Sequence, residues 1–129
     1  MSKIYDFLAE AGVYFLATVN GDQPKLRPLG SYYEEDGIIY FGMGDFKDVY
    51  KQLLVNPKAE IVAYKDFKWL RYTGRVVFDD KPKIAEHFLN IFPNLKNIYN
   101  EKTGYKMMIF HFEDVEANLI DMAGNKTKL

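Results

Sequence analysis

Short runs of β-branched and aromatic residues, separated by tight-turn signals, restrict this chain to a sheet built from hairpins. VYFLATV at 13–19 runs into Asn20-Gly21, a pair that readily takes the left-handed backbone a two-residue hairpin turn requires. Asp36-Gly37 repeats the signal before IIYFGM at 38–43, and Lys65-Asp66-Phe67 divides KAEIVAY (58–64) from KWLRYTGRVVFD (68–79). With MMIFHF (107–112) and VEANLIDM (115–122) the pattern predicts about seven strands. Strands that double straight back pair antiparallel, so the expected fold is mainly β. It is an antiparallel sheet closed into a small barrel, with helices at its periphery rather than in βαβ crossovers.

Three short helices fit between the strands. Ser2 is placed to cap one whose apolar stripe is Ile4, Phe7, Leu8 and Ala11, with Gly12 ending it. Asp45 is the expected cap of FKDVYKQLLV at 46–55, whose apolar face is Val49, Tyr50, Leu53 and Leu54. Asn56-Pro57 stops that helix. Asp80 and Pro82 open a third, which Pro93 closes. The stretch 94–103 reads as polar and irregular, and the tail AGNKTKL as frayed.

Residues 24–35 read as one alternating strand, with Lys25, Arg27, Leu29, Ser31 and Tyr33 on one face. Pro28 cannot donate to a ladder and Gly30 has no side chain to pack. That strand is therefore an edge, or a place where something approaches the backbone closely. Gly74 marks a bulge or bend in its own strand.

A chain of 129 residues, 48% of them hydrophobic, can bury one good core but not two, so residues 1–129 are expected to form a single domain. Seventeen basic against 18 acidic residues give a net charge of -1, which lacks the electrostatic footprint of a nucleic-acid binder. There is no cysteine, so thiolate chemistry and disulfides are excluded. No apolar run approaches the roughly 20 residues of a membrane span, and a cytoplasmic protein is expected. Ten Tyr and ten Phe exceed what a small core needs, which points some aromatics toward a ligand or a second subunit.

The chemistry concentrates between Arg27 and Lys47. One hairpin separates them and can bring both to a single phosphate, with Arg as a bidentate fork and Lys as a point charge. Lys47 falls in the first turn of the second helix, where a cation opposes the helix dipole unless an anion is shared. Gly42 and Gly44 either leave N–H groups free beside them or simply end a strand. Leu29, Gly30 and Phe41 suit a flat heterocycle lying against the backbone, or plain core. Trp69, the only tryptophan, is either a core anchor or a stacking wall. Arg71 and Arg75 alternate with Thr73 as a solvated or subunit-contacting ladder. His87 and His111 lie far apart with no neighbouring acidic or second-histidine ligand spacing, so no metal site is expected. Ser31 lacks a GxSxG context, and neither a P-loop nor a GxGxxG occurs.

Together, FLATVNGDQPKLRPLG, DGIIYFGMGDFKDVYKQLLVNPKAEI and WLRYTGRVVF resemble the pyridoxamine 5'-phosphate oxidase-related proteins, small FMN-binding split β-barrels. The resemblance covers roughly residues 10–80. It implies that Arg27 and Lys47 contact the FMN phosphate, while Pro28, Leu29 and Gly30 present backbone along the isoalloxazine. Phe41 and Gly42 would line the ribityl region, and Trp69 falls where larger oxidases place a polar residue near the flavin. It also implies a homodimer with the cofactor between subunits.

Family oxidases often carry Thr at the position of Gly42 and a basic residue at that of Phe46. The C-terminal extension that completes the vitamin pocket in true pyridoxamine phosphate oxidases is not among these residues. Flavin binding is thus the expectation rather than that specific oxidation. The expected activity is hydride or electron transfer between a reduced nicotinamide or similar donor and a small acceptor, the flavin supplying the redox chemistry. A non-catalytic flavin or haem carrier, or an interaction module with an empty barrel, are the alternatives.

Overall fold

A computed structural model of the chain describes residues 2–129. The order is α1 (Lys3–Ala11), β1 (Tyr14–Asn20), β2 (Gln23–Leu29), β3 (Tyr32–Glu35), β4 (Ile38–Gly44), α2 (Asp48–Val55), β5 (Lys58–Lys65) and β6 (Lys68–Asp79). There follow α3 (Pro82–Ile91), a 3₁₀ turn at Pro93–Asn97, β7 (Met107–Asp121) and β8 (Lys126–Lys128). All ladders are antiparallel. The sheet runs β2-β1-β5-β6-β7-β4-β3, with β8 alongside β7. Among the described residues β2 and β3 remain unjoined at its two ends, so the architecture is mainly β and antiparallel, as the hairpin pattern predicts, but split, as the resemblance implies, rather than closed.

The turns make the register. Asp66 and Phe67 sit at φ 52° and 64° and close Lys65 onto Lys68, while Asp36 and Gly37 at 52° and 79° close Glu35 onto Ile38. Two successive positive φ values match the right-handed twist of the strands they join. In the first hairpin Asn20 pairs with Gln23, so Gly21-Asp22 forms the turn and Asn20 belongs to the strand, one residue later than the dipeptide suggests.

Four further expectations need correction. The alternation of 24–35 conceals two strands, because the chain breaks at Gly30-Ser31. It pairs β2 with β1 and β3 with β4, at opposite ends of the sheet. Pro28 does lie on an edge strand, where its missing N–H costs no ladder bond. Residues 107–122 form one strand rather than two. Asp114 at φ 55° and the register shift between Thr73 and Arg75 absorb the mismatch with β6, and a Cβ on Gly74 would sit 2.7 Å from the Glu113 carbonyl. The tail is not frayed: Asp121 takes backbone N–H bonds from Ala123 and Asn125, and Lys126–Lys128 then pairs with β7 as an eighth strand.

The fourth correction is to α2, which starts at Asp48 rather than near Phe46. The Asp45 carboxylate caps nothing there; it accepts from the backbone N–H of Lys106 at 3.0 Å. Lys47 is the N-cap residue and supplies no side-chain cap. Val49 and Leu53 are buried as expected, but Leu54 faces solvent. By contrast Ser2 caps α1 through Oγ, accepting from Tyr5 N–H while donating to Glu34.

The core lies between the sheet's inner face and α1 and α2. Tyr14, Phe41 and Phe110 are fully buried, with Phe41 stacked on Phe110 and edge-on to Tyr14. A smaller cluster under α3 holds Tyr33, Tyr40, Ile84, Phe88 and Ile109. Burial pushes the Tyr72 hydroxyl up to about 12.

His111 does have acidic neighbours: Asp79 comes across the ladder from β6, and Glu113 stands two residues along β7 itself. Its Nδ1 lies 2.6 Å from Asp79 and its Nε2 3.1 Å from Glu113. Burial alone would lower its pKa, but the hydrogen bonds to both carboxylates outweigh that and raise it above the ordinary histidine value. The bond to His111 in turn lowers the pKa of Glu113. A raised histidine pKa gives stability that is full below the unfolded value of roughly 6.5 and is lost as pH rises through the folded value. Thermal melts should therefore show a His111-dependent fall in the Tm of the wild type across that window, and His111→Asn should flatten the fall. An unchanged pH profile in the variant would remove His111 as its source.

Candidate functional site

A cleft of about 1020 Å³ lies between the β1–β2 hairpin and α2. Arg27, Pro28 and Leu29 line it from β2, and Lys47, Asp48 and Gln52 from the helix side. Lys25, Arg27 and Leu29 share a face because β2 alternates, and the edge position of β2 leaves that face open toward α2. Lys51 also lines the cleft, so one arginine and three lysines stand against one aspartate. That balance favours an anionic ligand.

Arg27 is half-buried and anchored, whereas Lys47 is exposed. Nη1 of Arg27 donates to the Leu16 carbonyl at 3.0 Å and to Thr18 Oγ1 at 2.8 Å, and Nη2 donates to Gln52 Oε1 at 3.0 Å. Burial lowers its pKa from the usual arginine value, yet a guanidinium in this setting stays protonated. Among the described residues nothing accepts from Nε–H or the second Nη2–H. These two are parallel donors along one edge of the guanidinium, the fork that fits two oxygens of a phosphate.

The start of α2 adds to this. Lys47 gives the helix no side-chain cap, Asp48 and Val49 line the cleft, and the first amides of a helix have no partner within it. The positive end of the helix dipole lies there as well. Arg27, Lys47 and the first residues of α2 line one cleft, so the residues fit a phosphomonoester.

The other candidates lie elsewhere. Gly30 sits in the break between β2 and β3 and does not line the cleft. Phe41 is wholly within the core, and Gly42 presses against the second cluster. A Cβ on Gly42 would stand 2.8 Å from Met107 Sδ and 2.9 Å from Phe88 Cε1, which explains glycine there on packing grounds. Gly44 is crowded in the same way by Phe46 and Tyr99. Trp69, opposite Tyr64 on β5 and Ile120 on β7, is half-buried and outside the cleft. Arg71 and Arg75 form exposed ion pairs with Glu60 and Glu113. Thr18 and Gln52, which sequence reasoning missed, hold the end of Arg27. The only signal was a hydroxyl at an inward position of a strand that otherwise buries Tyr14 and Leu16.

The pyridoxamine 5'-phosphate oxidase family model matches residues 1–118. Among solved structures, a NimC/NimA family protein from Clostridium acetobutylicum is 35% identical over 98% of this chain and 91% of its own, with a TM-score of 0.86. A putative pyridoxamine 5'-phosphate oxidase from Listeria innocua is 18% identical over 88% of this chain and 93% of its own, at a TM-score of 0.66. A pyridoxamine 5'-phosphate oxidase-related, FMN binding protein from Nostoc punctiforme is 15% identical over 97% of this chain and 85% of its own, at 0.70. No curated protein matches the chain.

Proposed function

The chain belongs to the pyridoxamine 5'-phosphate oxidase family, and from that premise we propose that it binds FMN in the cleft between β2 and α2. We assign the complex to an oxidoreductase that passes hydride or electrons from a reduced nicotinamide or similar donor to a small acceptor. The observation that carries this reading is the unpaired Nε–Nη2 edge of Arg27, held in one cleft with Lys47 and the uncapped start of α2. The similarity to the FMN binding protein from Nostoc punctiforme supports the same cofactor.

In this reading Arg27 and Lys47 grip the phosphate, and Pro28 and Leu29 give the ring an edge strand to lie along, Gly30 continuing that backbone. The flavin supplies the redox chemistry, so the protein's task is to bind, orient and shield it. A single protomer leaves the cleft open, and Phe41, Gly42 and Trp69 stand apart from it. The proposal therefore includes a homodimer whose partner subunit covers the ring, which gives Phe15 and Leu26, exposed on β1 and β2, an interface to enter. A cytoplasmic setting supplies the nicotinamide donor.

Protein reconstituted with FMN should show the visible absorbance of bound flavin, and that band should bleach when NADH or NADPH is added without oxygen. Binding without bleaching would reduce the reading to a flavin carrier. No binding at all would overturn it.

A further inference from the structure

Thr18 and Gln52 are 34 positions apart in the chain, yet they meet at the guanidinium of Arg27. Thr18 Oγ1 donates to Gln52 Oε1 at 2.6 Å. The same two oxygens receive Arg27, Oγ1 from Nη1 at 2.8 Å and Oε1 from Nη2 at 3.0 Å. Paired acceptors at that spacing engage the end of a guanidinium as the two oxygens of a carboxylate do. Here, however, both are neutral.

That neutrality has a consequence. A carboxylate in this position would orient the arginine but also cancel its charge toward any incoming anion. A hydroxyl and an amide orient it and leave the full positive charge. The Leu16 carbonyl takes the second hydrogen of Nη1. Three of the five guanidinium N–H groups are then committed within the protein. The two that remain form the parallel edge that fits phosphate.

Thr18 is only 2% exposed, and a buried hydroxyl is kept only where its hydrogen bonds are made. Its partners are Arg27 and Gln52. Gln52 lies on the cleft side of α2, so the helix that offers its first amides to the ligand also braces the arginine from β2. We infer that Thr18 and Gln52 are positioning residues for anion recognition, a neutral clamp that fixes Arg27 with its free edge toward the ligand's phosphate. This rests on the assignment of Arg27 to the FMN phosphate.

The test is equilibrium titration with FMN and with riboflavin, which lacks the phosphate. It compares the wild type with Gln52→Met, Thr18→Val, Thr18→Ser, Arg27→Ala and the Gln52→Met/Arg27→Ala double variant. Gln52→Met keeps the side-chain length without the acceptor and should weaken FMN binding about tenfold, leaving riboflavin unchanged. Thr18→Val should do the same and Thr18→Ser should not. In the Arg27→Ala background Gln52→Met should cause no further loss.

Equal loss from Gln52→Met with or without Arg27 would mean that the amide touches the ligand itself, and would overturn the positioning role. So would a parallel loss of FMN and riboflavin, the mark of a general structural effect. Wild-type FMN affinity in Gln52→Met, beside a loss in Arg27→Ala, would overturn the clamp and leave the phosphate assignment standing. No loss in Arg27→Ala would overturn the phosphate assignment, and the clamp with it. Should Thr18→Val fail to fold, the Gln52→Met arm decides alone, since Gln52 is not in the core.

Discussion

Arg27→Ala lowers FMN affinity about thirtyfold to a hundredfold, and Arg27→Ala with Lys47→Ala lowers it by a further factor of roughly five to ten. The first figure follows from losing charge-assisted hydrogen bonds at a half-buried guanidinium, about 2–3 kcal/mol, at 1.4 kcal/mol per decade of affinity. Lys47 contributes less because it is exposed and screened by salt. Arg27→Lys should recover little, since an ammonium keeps the charge but cannot present the Nε–Nη2 edge. Flavin fluorescence titration at two salt concentrations reads all of this: the Lys47 contribution should shrink at the higher salt, while that of Arg27 should hardly move. Melting curves of the free proteins separate a lost ligand contact from a lost fold, since Arg27 also ties β1 and β2 to α2.

The second large effect is on stability. Phe41→Ala should cost about 3–5 kcal/mol, a large share of the roughly 5–15 kcal/mol that holds a domain of this size together. Phe41 is 0% exposed, and its ring centroid lies 5.2 Å from that of Tyr14, 5.5 Å from Phe110 and 5.7 Å from Phe112. These neighbours come from β7, which pairs with β4, and from the start of β1, near the other end of the sheet. Truncating the ring opens a cavity that no single strand can shift to fill. Urea denaturation should show a lower midpoint with little change in slope. A stability near that of the wild type, with FMN binding lost instead, would place the Phe41 side chain at the cofactor rather than in the core.

What the sequence could reveal depended on how local each cause was. The hairpins at Asp36-Gly37 and Lys65-Phe67 were legible because a turn is decided by its own residues, and Ser2 and Gly12 bounded α1 for the same reason. Gly74 announced its bulge as a gap in a run of side chains. The division of 24–35 into two strands was hidden, since the alternation of Lys25, Arg27 and Leu29 continues in phase through Ser31 and Tyr33 even where the chain changes partners. α2 began later than expected because Asp45 was drawn off to Lys106, a residue 61 positions away. His111 with Asp79, and Thr18 with Gln52 and Arg27, are likewise products of strand pairing and helix docking that no spacing along the chain displays. Arg27 and Lys47 were found because one hairpin separates them and their charges suit one ligand, yet the clamp that makes Arg27 useful lay outside that stretch.

The account rests on a phosphate held by the free edge of Arg27 beside Lys47. A crystal structure of the FMN complex tests it most directly. The expected result is two phosphate oxygens within about 3 Å of Nε and Nη2 of Arg27, a third near Lys47 Nζ or the Asp48 and Val49 amides, and Gln52 still bonded to the far end of the guanidinium. A flavin whose phosphate lay away from Arg27, whichever other residues it met, would contradict it.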